Sequence, residues 1–168
     1  DLESFYTKRW HALFHGRTNS GKTTLMLSIL KRFLDRGNIV LLRDDGGLEF
    51  RYLAYHYPSE TRIFVPDSEG CRLDATGFNP EVVPFRDAGE ILDYVNRGDK
   101  LFNVVVYDVF CLEPTVSAKF YSELFKQLIY KCMQRRIRFK TKLVFAILEL
   151  NDIVQPKGGG LSPEHENV

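Results

Sequence analysis

No stretch of 18 or more consecutive apolar residues occurs in this chain of 168, so a membrane-spanning helix is not expected. Cysteine is scarce: Cys71, Cys111 and Cys132 are odd in number and far apart. Without a C-x-x-C pair there is no zinc or dithiol signature, and reduced, buried thiols are the expectation. Neither sign of charge dominates, since 23 Lys and Arg against 22 Asp and Glu leave a net charge of +1. That balance argues neither for nor against an acidic partner. No secretory-leader pattern stands at the front, and a cytoplasmic protein is the expectation, within a host cell if a virus or plasmid encodes it. Repeats, low-complexity tracts and linkers are also lacking. The expectation is one domain over 1–168, possibly truncated at the C-terminal end, with 44% hydrophobic residues to build its core.

What the chain does have is concentrated at Gly16-Arg17-Thr18-Asn19-Ser20-Gly21-Lys22-Thr23-Thr24, a complete G-x-x-x-x-G-K-S/T phosphate-binding loop. Glycines are needed where side chains would block the backbone N–H groups from wrapping an anion. A helix opening at about Lys22 adds its positive N-terminal end. Lys22 would reach the β- and γ-phosphates, and the Thr23 hydroxyl would ligate Mg²⁺, while Thr24 packs or caps. ATP or GTP is therefore the first ligand to consider. A glycine-rich turn that binds nothing would not explain why lysine and threonine both follow the second glycine.

The flanking pattern is that of an α/β protein. Trp10–His15 reads as a buried strand leading into the loop. Leu25, Ile29, Leu30, Phe33 and Leu34 recur at helical spacing, with Gly37 where a helix C-cap belongs. Residues 38–43, 61–65, 103–108 and 142–148 are short apolar runs expected as strands. Helices are expected over 88–96 and 116–138. Residues 66–86 hold Pro66, Pro80, Pro84 and scattered charge and read as an irregular excursion. Strands alternating with helices predict a P-loop NTPase three-layer sandwich with a mostly parallel central sheet.

A phosphate loop that works on a triphosphate needs carboxylates at the ends of buried strands, for Mg²⁺ and for the attacking water. Asp108 ends one strand run and Glu149 another. Asp44 ends a third, with Glu49 close behind, at the edge where open α/β sheets gather ligands. Asp44 and Glu49 either assist the metal or water, or satisfy turn N–H groups. Asp108 either reaches the metal or caps the turn after its strand.

The Gly16–Thr24 loop, the strand ending in Asp44 with Glu49-Phe50 behind it, and a later strand, long helix and strand ending in Glu149-Leu150-Asn151-Asp152 resemble the HerA/FtsK superfamily of DNA-translocating ATPases. The resemblance covers roughly residues 10–156 and is nearest the viral, plasmid and archaeal packaging and transfer branches. It implies ATP and Mg²⁺ as cofactors, Lys22 and Glu149 as catalytic residues, duplex DNA as partner and a homo-oligomeric ring. In that superfamily an Asp-Glu pair usually ends the last strand, the Asp assisting the metal. Here Leu148 stands where that Asp is expected, and a leucine cannot ligate. Three explanations stay open: Asp108 substitutes from another strand, the site is naturally weakened, or Leu148 traps an ATP-bound state.

Other features are weaker signals. Lys131, Arg135, Arg136, Arg138, Lys140 and Lys142 gather around the end of the long helix, either as a phosphate-contacting patch or as a solvated helix end. Tyr52, Tyr55, His56 and Tyr57 read as core or subunit interface. His11 and His15 make no metal constellation with His56 or His165. Residues 156–160 read as a flexible loop, with Ser162 as N-cap of a further helix. Two functional alternatives accompany the motor ATPase: a nucleotide-binding switch or assembly module with weak hydrolysis, and a small-molecule kinase using the same loop.

Overall fold

Apolar runs without polar alternation belong to strands covered on both faces, and the two strands that carry such runs in Ile39–Leu42 and Val104–Val106, namely Ile39–Asp44 and Phe102–Val106, are buried at every position in the interior of the sheet. The computed structural model describes residues 2–8, 11–17, 19–74, 77, 79–111, 113–134 and 142–148. Within them the elements run α1 (Leu2–Thr7), α2 (Lys22–Asp35), β1 (Ile39–Asp44), α3 (Arg51–His56), a short turn at Pro58–Glu60, β2 (Thr61–Pro66) and β3 (Glu81–Phe85). They continue with α4 (Ala88–Arg97), β4 (Phe102–Val106), α5 (Pro114–Met133) and β5 (Leu143–Ile147).

The strands form one sheet in the order β3-β2-β4-β1-β5, and every pairing is parallel. Alternation along β1 sorts the core into two layers. Val40 and Leu42 face Leu27, Leu30, Phe33 and Leu34 of α2, together with Leu53 and Ala54 of α3. Ile39 and Leu41 face Ile91, Leu92 and Val95 of α4, and Tyr121, Leu124 and Leu128 of α5. The result is the α/β fold with a parallel sheet between two helical layers that the sequence pattern predicts.

Three local expectations need correction. Residues 11–15, expected as part of a strand, form none. The run His-Ala-Leu-Phe-His has no β-branched residue, and Leu13 is 76% exposed, so it lacks the two covered faces a parallel strand needs. The excursion over 66–86 contains β3, in which Pro84 pairs opposite Val65. β3 is an edge strand, where a residue without an N–H is tolerated. The thiols are free but not buried: Cys71 and Cys111 are half-buried and Cys132 exposed. α1 goes unannounced in the sequence, and α5 starts at Pro114, two residues before the expected helix, with proline in its first turn.

Candidate functional site

The phosphate loop is built around one ammonium group. Lys22 Nζ donates to the carbonyl oxygens of Gly16 and Arg17, both at 2.8 Å, and so sits inside the curve of the loop. Asn19 (φ 63°) and Gly21 (φ 84°) take left-handed conformations that close the curve, a geometry asparagine and glycine tolerate best. At Gly16 the approach is close: a Cβ there would lie 2.7 Å from the Ser20 hydroxyl oxygen. No side chain caps α2, whose first internal bond runs from Leu25 N–H to the Gly21 carbonyl at 2.9 Å. The N–H groups ahead of it stand at the positive end of a 14-residue helix. Thr23, Thr24, Arg17, Asn19 and Ser20 are exposed around this mouth, and Thr18 lies outside the described residues. The loop therefore has features that fit a phosphate chain: N–H donors, a cation inside the curve and glycine where a Cβ would intrude.

Its location follows from connectivity. α2 turns through Arg36, Gly37 and Asn38 directly into β1 and packs back along it, so the loop at its N-terminus lies at the carboxyl edge of the sheet. At that edge the chain leaves β1 toward the α2 face and leaves β4 toward the α5 face. Adjacent strands with diverging exits make the crevice in which open α/β sheets hold ligands. A cavity of about 200 Å³ opens there, lined by Arg43, Asp45, Asp108, Cys111, Pro114 and Ser117.

On the α5 side of this crevice the buried charges are paired. Arg43, 2% exposed, donates through Nε to Asp108 Oδ2 at 3.0 Å and stacks over the Tyr121 ring at 4.8 Å. Ser117 Oγ donates to Asp108 Oδ1. Both Asp108 oxygens thus already accept, which ties the end of β4 to β1 and to the first turn of α5. This is the tethering role that a carboxylate after a buried strand can take.

On the α2 side they are not paired. Asp44 is wholly buried. Its Oδ2 accepts from Gly46 N–H at 3.1 Å, while Oδ1 has no partner. Glu49 Oε2 is likewise buried without a partner. Asp45 Oδ1 accepts from Gly47 N–H at 3.1 Å, and one oxygen from each of Asp44, Asp45 and Glu49 lies within 4.8 Å of the others. Burial, with the Asp45 and Glu49 charges adding to it and the Gly46 and Leu48 N–H groups opposing it, pushes the Asp44 carboxyl up to about 6.

The register brings the end of β1 next to the end of β5, where the resemblance expects a carboxylate and the chain has Leu148. The β1–β5 pairing ends at Arg43 and Ile147, so Asp44 and Leu148 are the residues that follow it on the two adjacent chains. Leu148 packs against the α2-side core. Glu149, the expected water-activating residue, lies outside the described residues, as do Arg135, Arg136, Arg138, Lys140 and the tail from 149 to 168. Of the remaining basic residues, Lys131 pairs with Asp93 at 3.3 Å, and Lys142 donates to the backbone carbonyls of Tyr6 and Lys8, which ties β5 to α1. Tyr52, Tyr55 and His56 are exposed, so of their two expected roles they do not fill the core. His11 and His15 are exposed.

Sequence reasoning does not reach Arg43, Asp45, Ser117 or Tyr121. An arginine inside an otherwise apolar buried run was the available signal, because a buried guanidinium must be paired. Ser117 and Tyr121 are ordinary helix positions until the helix is docked. The chain matches no family model, no curated protein and no solved structure. No helix among the described residues is long and apolar enough to cross a membrane.

Proposed function

We propose that this chain is a P-loop ATPase of the HerA/FtsK type, which binds ATP with Mg²⁺ at Gly16–Thr24 and couples hydrolysis to translocation or packaging of double-stranded DNA. The observation that carries the nucleotide part is the Lys22 ammonium held inside a glycine-hinged loop at the uncapped start of α2. A lysine that satisfies only two backbone carbonyls is poised to exchange them for phosphate oxygens, which bind a cation more strongly. The loop N–H groups then orient the phosphates, and the Thr23 hydroxyl is placed in sequence to hold the metal. Mg²⁺ held there would supply charge neutralisation for the phosphate oxygens. Glu149 would take the proton of the attacking water at its carboxylate. The DNA and ring parts rest on the family resemblance and on the order of elements.

Leu148 favours a second reading within the same site. Its side chain packs into the α2-side core, so the strand end expected to assist the metal presents hydrocarbon instead. On that reading the chain is a nucleotide-dependent switch or assembly module that binds ATP and turns it over slowly.

One set of measurements separates the readings: binding of a fluorescent ATP analogue, and ATPase rate with and without duplex DNA, on the wild type and Lys22→Ala. A motor binds ATP, is stimulated by DNA and loses both in Lys22→Ala. A switch binds ATP and shows no stimulation. Equal behaviour of the two proteins in every assay would sink the nucleotide reading.

A further inference from the structure

Buried carboxylates normally find a cation, and those at the end of β1 have none of their own. Among the described residues, no lysine, arginine or histidine forms an ion pair with Asp44, Asp45 or Glu49. Asp44 is nevertheless wholly buried with Oδ1 unpartnered, and Glu49 Oε2 is buried and unpartnered as well. Each such atom is expensive to leave unsatisfied.

The chain brings these groups together where it might have kept them apart. Glu49 folds back over the loop so closely that a Cβ on Gly47 would stand 2.2 to 2.5 Å from its carboxylate. One oxygen from each of the three residues falls within a 4.8 Å span. Oxygens on opposite sides of a Ca²⁺ ion stand about 4.6–5.2 Å apart, and across Mg²⁺ about 4.0–4.2 Å. A donor set made only of carboxylate oxygens selects hard cations over zinc or copper.

We propose that Asp44, Asp45 and Glu49 form a binding site for a hard divalent cation, Mg²⁺, Mn²⁺ or Ca²⁺, which fills without nucleotide. The ion takes the unpartnered oxygens of Asp44 and Glu49 and one oxygen of Asp45, and water completes its shell. It sits at the same sheet edge as the phosphate loop and beside Leu148, on the α2 face. The site does not depend on the ATPase reading, because none of its ligands belongs to the loop.

Mn²⁺ reports on it directly. Electron paramagnetic resonance titration of the full, nucleotide-free chain should show one bound Mn²⁺, displaced by Mg²⁺ or Ca²⁺ according to which ion the site prefers. Glu49→Gln and Asp45→Asn should each weaken binding by about tenfold or more, since even outer-shell changes cost about 10–100-fold. Both substitutions lie in a loop outside the apolar core, and near-ultraviolet circular dichroism of each checks its packing. Lys22→Ala should bind Mn²⁺ as the wild type does. Absence of Mn²⁺ binding to the nucleotide-free wild type overturns the site. So does binding undiminished in both carboxylate variants, or binding lost in Lys22→Ala. Failure of ATP to bind leaves the Mn²⁺ result standing, and the two ideas are separately refutable.

Discussion

Arg43 and Asp44 are successive residues of β1, both almost entirely buried, and the fold treats them in opposite ways. Arg43 points to the α5 layer, where Asp108 and the Tyr121 ring receive it and Ser117 satisfies the other Asp108 oxygen. Asp44 points to the α2 layer, where its neighbours are two more carboxylates and one of its oxygens has no partner. At the opposite edge of the sheet, Arg62 is also buried and also satisfied, by Glu81 at 2.8 Å and Asp99 at 2.7 Å. Where this molecule buries charge for its own cohesion, it pairs it. A carboxylate cluster with Asp44 buried and unpaired at its centre breaks that pattern, and the proposed cation would restore it.

The largest effect should come from breaking the satisfied side. Arg43→Ala leaves Asp108, only 11% exposed, without its cation and removes the stacking on Tyr121. Urea denaturation should register a loss of about 3–5 kcal/mol, as for other buried pairs with one partner removed. A loss below about 1 kcal/mol would show that this network is not structural.

The unsatisfied side should respond to pH in the opposite sense from an ion-paired carboxylate. The folded-state pKa of Asp44 is raised to about 6, above its unfolded value, so the folded protein holds this proton more tightly than the unfolded chain does. The associated stability is fully present below about pH 4 and is lost as pH rises through about 6. Metal-free protein should lose about 2–3 kcal/mol across that window on account of Asp44, at 1.36 kcal/mol per pKa unit. Asp44→Asn should flatten this part of the profile and stabilise the metal-free protein at pH 7. Urea midpoints measured from pH 4 to pH 8 in the presence of chelator check both statements. A wild-type profile that matches Asp44→Asn would remove the electrostatic contrast between the two sides.

Two small effects sharpen the contrast. Gly47→Ala places a methyl against the Glu49 carboxylate, the free end of a flexible side chain, which can swing away. Stability should change by less than about 1 kcal/mol while Mn²⁺ affinity falls, read by melting temperature and metal titration on the same sample. Lys131→Ala breaks an ion pair whose Asp93 side chain is 75% exposed, and stability should move by less than about 0.5 kcal/mol. A larger loss would mean that surface pairing holds α4 to α5.

Much of the fold is legible in residue order, for reasons tied to particular runs. Ile39–Leu42 and Val104–Val106 are apolar without alternation, as expected of a strand covered on both faces. Leu30, Phe33 and Leu34 repeat at helical spacing and are buried on α2, while Leu25 of the same series is exposed and Leu27 takes its place in the core. Residues 11–15 mislead because apolarity alone does not distinguish a buried strand from an extended surface segment. β3 stays hidden because Pro84 is a strand breaker everywhere but at an edge, and edge position is a property of the assembled sheet.

The candidate site divides in the same way. A glycine-lysine-threonine spacing is local chemistry: it specifies backbone conformation and charge within nine consecutive residues, so residue order alone determines the curved loop and the lysine inside it. Arg43 and Asp108 are 65 residues apart, and their pairing exists only because β1 and β4 are neighbours in the sheet. Strand alternation sends Asp44 to one face and Arg43 to the other, and register sets Asp44 beside Leu148. Whether a buried charge meets its counter-charge or two carboxylates of its own sign is decided by which strands and faces the fold brings together, because Coulomb interactions depend on distance in space and not along the chain.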